Sequence, residues 1–275
     1  MSIININGGL GNQLFQYAFS RYIGEKYDIS FKYDLSDFQF KKIHDGFVLD
    51  ALIDDEFKIA DKRELREVSP LLNFRHGRVA IRRFSICNRR VNYESFLDSE
   101  DRPYDYYMGN WQNLSINYVG YVDNKLKDEF EYSPPSNSVF VHVRRGDYLL
   151  NKIYRICDIE YYEKAIRYID NVIEGAEFYV LSNDLTWCRE AFKKMQSEFK
   201  IHYVDCGSSL KDFNFMRSCG NAIISNSTFS WWAAQLIKNQ RKIVVSPSEW
   251  FTNSKNLIVM PSSWVSICLP SKQGT

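Results

Sequence analysis

Residues 139–148 read V-F-V-H-V-R-R-G-D-Y, and they hold most of the chemistry the chain can offer. An apolar run from Val139 to Val143 carries His142 and ends at Arg144, Arg145, Gly146 and Asp147. Two guanidiniums side by side suit a phosphate oxyanion, because each presents a planar fork of donors. His142 lies two residues before Arg144, so both can face one side of a strand. Asp147 is placed to pair with an arginine and hold it. The competing reading is a structural ion-pair network at a strand end.

A second constellation, S-N-S-T-F-S-W-W, spans residues 225–232. One hydroxyl would cap a helix. Four of them, Ser225, Ser227, Thr228 and Ser230, with Asn226 and Phe229 between, exceed that need. N–H groups and hydroxyls at a helix start can hold a diphosphate. Trp231 and Trp232 read as anchors of that helix to a sheet. A third stretch, G-G-L-G-N-Q at 8–13, joins a first strand to an amphipathic helix. It resembles a dinucleotide glycine fingerprint without matching it, and it has no Walker lysine. Asn12 and Gln13 add side-chain polarity where that loop meets the helix, as candidates to touch a sugar or phosphate.

These motifs need strand ends to position them. Apolar runs at 2–6, 29–33, 139–143, 177–181, 201–204, 221–225 and 242–245 read as strands. From residue 139 onward they alternate with helices expected near 159–174, 186–198, 209–218 and up to about 238. Alternation of this kind predicts a parallel sheet with right-handed crossovers. Ser182, Asp184 and Asp205 follow strands on what should be the same rim as Arg144. Ligands of open α/β sheets bind at that rim. A helix is expected near 118–130, and Ser133-Pro134-Pro135-Ser136 then marks a domain boundary. The reading is therefore a domain at 1–133, a second at 134–248, and a tail at 249–275 that packs back across them. Tyr106, Tyr107 and Trp111 in the run 104–112 suggest an acceptor pocket or, more simply, a core strand.

Composition removes several classes. Lys+Arg 35 nearly balances Asp+Glu 34 in 275 residues, which gives no sign of general nucleic-acid binding. The six cysteines, Cys87, Cys157, Cys188, Cys206, Cys219 and Cys268, show neither C-x-x-C nor His-paired spacing. Buried free thiols are expected, rather than a metal site or disulfide framework. No signal peptide and no membrane-spanning run is seen, so a cytoplasmic protein is expected. Arg75, Arg78, Arg82, Arg83, Arg89 and Arg90 lie among apolar residues. They read as a solvated helix face or as a dock for a phosphate-bearing acceptor or an anionic membrane surface, the last of which would make the protein peripheral on the inner membrane.

The start G-G-L-G-N-Q-L-F-Q-Y-A (8–18), H-V-R-R-G-D-Y (142–148), S-N-D (182–184) and S-N-S-T-F-S-W-W-A-A (225–234) resemble bacterial α-1,2-fucosyltransferases of glycosyltransferase family 11. The motifs occur in the family's order over nearly the whole chain. The resemblance implies a GT-B-like α/β fold, two Rossmann-type domains facing a cleft, with the nucleotide sugar held by the C-terminal one. It implies inverting transfer of L-fucose from GDP-β-L-fucose to the 2-hydroxyl of a galactose, on an oligosaccharide or lipid-linked glycan of a surface polysaccharide such as O-antigen. No metal or other cofactor is implied. Arg144 is the first choice to bind the donor diphosphate, with Arg145 second and His142 near the guanosine. Ser182, Asp184, Asp205 and Ser225, Asn226, Ser227, Thr228, Phe229 and Ser230 would complete the donor site. Asn12, Gln13 and Trp111 would lie on the acceptor side, and Asp147, Asn12 or Asp37 would handle the acceptor hydroxyl. A non-catalytic nucleotide-sugar or glycan-binding protein, or a fucosyltransferase of different linkage, remains open at this point. A dinucleotide oxidoreductase is disfavoured, because the fingerprint preceding Asp34 fails.

Overall fold

The structure is a computed structural model that describes residues 1–40, 45–68, 105–112, 114, 116–127, 132–252, 258 and 260–269. The arginine-rich stretch 75–90 lies outside these residues. The chain divides into two compact units, Met1–Asp128 with Lys255–Val259, and Glu129–Ser254 with Met260–Thr275.

The first unit is built on β1 (Ser2–Asn5), which is buried along its length. It pairs in parallel with β2 (Phe31–Asp34) and with a short strand, β3 (Tyr106–Tyr107). Ile3 and Ile4 give this strand its apolar centre, and Ser2 and Asn5 at its ends are buried as well. Helix α1 (Leu10–Tyr27) follows β1 after a glycine turn and ends where Asp28 adopts a left-handed conformation at φ 52°. Among the described residues, three short helices, α2 (Asp37–Phe40), α3 (Leu49–Leu52) and α4 (Lys62–Val68), fall between β2 and β3. The helix expected over 118–130 is a single turn and a half, α5 (Val119–Asp123). Beyond it, Leu126 bridges to Ile53.

The second unit carries a six-stranded parallel sheet. Its strands are β4 (Ser138–Val143), β5 (Glu177–Ser182), β6 (Lys200–Tyr203), β7 (Asn221–Ile223), β8 (Val244–Pro247) and β9 (Val265–Ile267). Their spatial order is β6-β5-β4-β7-β8-β9. The intervening helices are α6 (Asp147–Leu150), α7 (Ile159–Val172), α8 (Leu185–Ala191), α9 (Ser209–Ser218) and α10 (Thr228–Gln235). α7 has the apolar stripe expected of a helix lying on a sheet: Tyr161, Tyr162, Ala165, Ile166 and Ile169 are buried. They pack with Val139, Val141, Val143, Phe178 and Val180 in one core. The helix expected over 186–198 stops at Ala191 and resumes as one 3-10 turn at Met195–Ser197. Within the stretch 249–275, residues 265–267 form the sheet's sixth strand.

This order has one reversal. The chain runs outward from β4 to β6, then returns to pair β7 on the other side of β4. The connections leave the sheet in opposite directions there, which opens a crevice at the carboxyl ends of β4 and β7. Those are the ends that carry H-V-R-R-G-D and S-N-S-T-F-S.

Candidate functional site

One wall of the crevice is the turn after β4. Arg144 places Nη2 2.7 Å from Asp147 Oδ1 and packs its guanidinium over the Tyr148 ring at 5.2 Å. Tyr148 in turn stacks on Tyr154 at 3.9 Å. The Arg144 side chain is 21% exposed and its Nε is buried with no hydrogen-bond partner among the described residues. A buried donor left unpaired costs about 1–3 kcal/mol, so it calls for a ligand or another reason. Arg145 takes a different course. It lies over the Trp187 ring at 3.8 Å and reaches Asp184 at 3.4 Å, so it braces the loop against α8.

The turn itself requires glycine. Gly146 has φ 55°, and a Cβ built there would lie 2.5 Å from Asn183 Nδ2. Asn183 also accepts the Arg145 N–H at 2.9 Å. The residue after β5 therefore clamps the backbone between the two arginines. Ser182 and Asp184, expected to touch the donor, are engaged in this scaffold. Ser182 Oγ accepts from the Asp184 N–H, and Asp184 caps α8 by accepting from Trp187 N–H at 3.1 Å. Asp205 follows β6, is exposed, and closes a local turn by accepting from Gly207 N–H. It stands two strands from β4, about 10 Å along the same rim.

The other wall is the turn after β7. Ser225 is fully buried, with its hydroxyl 2.9 Å from His142 Nδ1, so the two walls are joined across the crevice. Asn226 is buried and donates to the Arg155 and Trp250 carbonyls at 2.7 and 2.8 Å. Ser230 is buried and donates to the Ser227 carbonyl. Ser225, Asn226 and Ser230 thus hold this wall together through buried hydrogen bonds. Thr228 and Phe229 lie at the rim, and Ser227 before them is buried. Ser227 is the N-cap residue of α10 and makes no side-chain cap bond, while Thr228 and Phe229 are partly exposed. Phe229 flanks the His142 ring at 5.6 Å. Trp231 and Trp232 are buried and meet edge to face at 5.2 Å, anchoring α10.

His142 is 6% exposed, and burial together with the Arg144 charge pulls its pKa down to about 3. The ring is therefore neutral at physiological pH. The folded-state value lies below the ordinary 6.5, so between the two the unfolded chain binds the extra proton. His142 then contributes stability that is present above pH 6.5 and is lost as the pH falls towards 3. The loss of Tm on acidification from pH 6.5 to 4 should be shallower in His142→Asn than in the parent. Equal slopes would contradict a buried neutral ring.

The first unit presents its own rim. Gly8, with φ 78°, turns the chain after β1, and Gly9 is the N-cap of α1 without a side-chain cap bond. Asn12 is partly exposed there and accepts from Gln112 Nε2 at 2.9 Å. Gln13 is fully buried. Its Nε2 donates to the Gly8 and Gly46 carbonyls and its Oε1 accepts from Val48 N–H, so it ties the loop at 46–48 to α1. Trp111 is fully buried and stacked on Phe19 at 3.9 Å. Gln13 and Trp111, both expected on the acceptor side, are fully buried in this structure. Asp37 lies in the first turn of α2. Asp34 accepts from Ser36 and Tyr106, so its carboxylate is committed within the unit.

Three residues were missed from the sequence: Asn183, Tyr148 and Gln112. The first two stand inside quoted motifs, but nothing in their spacing reveals their partners. Among the described residues no group of three or more His, Cys, Asp or Glu side chains could hold a metal, and no helix is long and apolar enough to cross a membrane.

The family model of Glycosyl transferase family 11 matches residues 1–266. The chain is 30% identical to an alpha-1,2-colitosyltransferase of Escherichia coli, over 91% of this chain and 93% of that one. It is 39% identical to the O-antigen biosynthesis glycosyltransferase WbnK of Escherichia coli over 43% of this chain and 41% of the relative. It is 36% identical to galactoside alpha-(1,2)-fucosyltransferase 2 of Mus musculus over 38% and 31%. The last two matches thus span under half of each relative. Among solved structures, NodZ alpha-1,6-fucosyltransferase soaked with GDP-fucose aligns with TM-score 0.51 at 14% identity, covering 86% of this chain and 92% of that one. This likeness bears on the fold, which is GT-B-like. With a family match over nearly its whole length and a full-length relative at 30% identity, the chain is a glycosyltransferase and belongs to glycosyltransferase family 11.

Proposed function

We propose that the protein transfers L-fucose from GDP-β-L-fucose to the 2-hydroxyl of a terminal galactose, with inversion, during assembly of a surface glycan such as O-antigen. The observation that carries this reading is the Arg144 Nε, buried at the switch point between β4 and β7 with no hydrogen-bond partner among the described residues. A leaving diphosphate supplies the missing acceptor. As the acceptor oxygen attacks the anomeric carbon, the bond to the phosphate oxygen breaks and its electron pair stays on the nucleotide, while the acceptor hydroxyl's proton passes to solvent. Positive groups fixed in advance stabilise that growing charge. Arg144 and the first-turn N–H groups of α10 fill this role without a metal, while Asp147 holds Arg144 in place. Asn12 is a carboxamide with no basic pair, so it orients the acceptor hydroxyl rather than taking its proton.

The full-length relative favours a second reading of the donor. Colitose is L-fucose without its 3-hydroxyl, and a colitosyl donor would differ from GDP-fucose at that one position. A donor panel of GDP-fucose, GDP-colitose, GDP-mannose and UDP-galactose with galactosyl disaccharides decides between them. GDP-fucose should be the best donor, the product should be an α-1,2 linkage, and EDTA should leave the rate unchanged. Turnover only with GDP-colitose would move the assignment to the second reading. Turnover with none, despite GDP binding, would favour a non-catalytic glycan-binding role.

A further inference from the structure

Arg144 must present its buried Nε in one direction, yet the ion pair beside it is a weak anchor. The Asp147 side chain is 59% exposed, so water screens its hold on Nη2. The guanidinium's other contact is the Tyr148 ring, 5.2 Å away. A ring face attracts a cation and stacks with a planar guanidinium, which fixes its plane. The chain gives up apolar burial to place that ring. Of the three residues after Asp147, Leu149 and Leu150 are 48% and 89% exposed, while the tyrosine is turned inward. Tyr148 is held in turn. It stacks on Tyr154 with planes 5° apart, and Tyr154 meets Phe251 at 5.8 Å. Backbone ties continue this ladder. Thr252 N–H donates to the Ile153 carbonyl at 2.9 Å, and Arg155 N–H to the Trp250 carbonyl at 3.1 Å. That Trp250 carbonyl also accepts from Asn226 in the turn after β7. The Tyr148 hydroxyl meets that of Ser227, the N-cap residue of α10. Burial raises the Tyr148 pKa, so the phenol stays neutral. One side chain thus touches Arg144 and the start of α10 together.

We propose that Tyr148 is a positioning residue for the transfer, whose ring sets the plane of the Arg144 guanidinium against the first turn of α10 so that both meet one diphosphate. This rests on the reading of Arg144 given above. Tyr148→Leu removes the ring and should lower kcat about tenfold, with KM for the acceptor unchanged. Tyr148→Phe keeps the ring and should stay within about threefold of the parent, which a proton-donating role for the hydroxyl would not allow. In an Arg144→Ala background, Tyr148→Leu should cost less than about twofold, because the group it positions is gone. A merely structural role would repeat its loss there. Should Tyr148→Leu fail to fold, Tyr154→Leu removes the ring stacked on Tyr148 and carries the same comparison. It should cost about fivefold in the parent and less than about twofold beside Arg144→Ala. Parental kcat in Tyr148→Leu, an equal loss in Tyr148→Phe, or the full loss repeated beside Arg144→Ala would overturn the proposal. If Arg144→Ala itself keeps parental kcat, the diphosphate reading has failed and takes this inference with it. A large loss in Arg144→Ala with none in Tyr148→Leu would sink this inference alone.

Discussion

Arg144→Ala should cut kcat about 10²–10³-fold while Tm stays within a few degrees of the parent. The large effect follows from what the side chain does not do. Its Nη2 is paired to Asp147, an exposed carboxylate, and its face rests on Tyr148, yet its buried Nε has no partner among the described residues. Removing it therefore breaks one surface-side ion pair, worth about 1 kcal/mol or less, and relieves an unpaired donor. The fold loses little and the developing charge on the diphosphate loses its principal partner. Arg144→Lys should recover only part of the rate, because an ammonium restores the charge without the planar fork. Arg145→Ala should behave differently. Its side chain braces the loop against Trp187 and Asp184, so its loss should show mainly as raised donor KM. Steady-state kinetics on the three variants checks the set. Near-parental turnover in Arg144→Ala would remove the diphosphate assignment.

Gly146→Ala should lower kcat/KM at least about 100-fold, an effect out of proportion to one methyl group on an exposed turn. Two constraints coincide at this position. The backbone is at φ 55° with ψ −114°, outside the range open to alanine, and the new Cβ would sit 2.5 Å from Asn183 Nδ2. The loop must move, and Asn183 must release the Arg145 N–H it accepts. Arg144 is two residues away and moves with them. Since the turn is at the surface, the cost to stability should be about 1–2 kcal/mol, read as a modest fall in Tm. Asn183→Ala tests the clamp without the strain and should give a smaller loss. If Gly146→Ala retains activity within threefold, the turn does not position the reacting groups.

Much of the second unit was legible because strand and helix periods alternate cleanly after residue 138. The run V-F-V-H-V ends at the residues that form the crevice wall, and the glycine after the arginines marks the turn its positive φ requires. What could not be read was non-local. Asn226 looks like a ligand-binding residue among four hydroxyls, but its amide is spent on the carbonyls of Arg155 and Trp250, one of them 71 residues away. Gln13 has the same history, used by backbone at Gly46 and Val48. Trp111 followed its apolar character into the core. The strand at Val265–Ile267 was missed because three residues at a sheet edge leave no periodic signal. The boundary read at residue 133 and the division after Asp128 fall close together, since Pro134 and Pro135 interrupt any continuous element there.

The most direct test is a crystal structure of the protein with GDP. The diphosphate should lie at the carboxyl ends of β4 and β7, with an oxygen within hydrogen-bond distance of Arg144 Nε and the first turn of α10 beside it. Density for GDP at any other edge of the sheet, with Arg144 Nε still unpaired, would contradict the account.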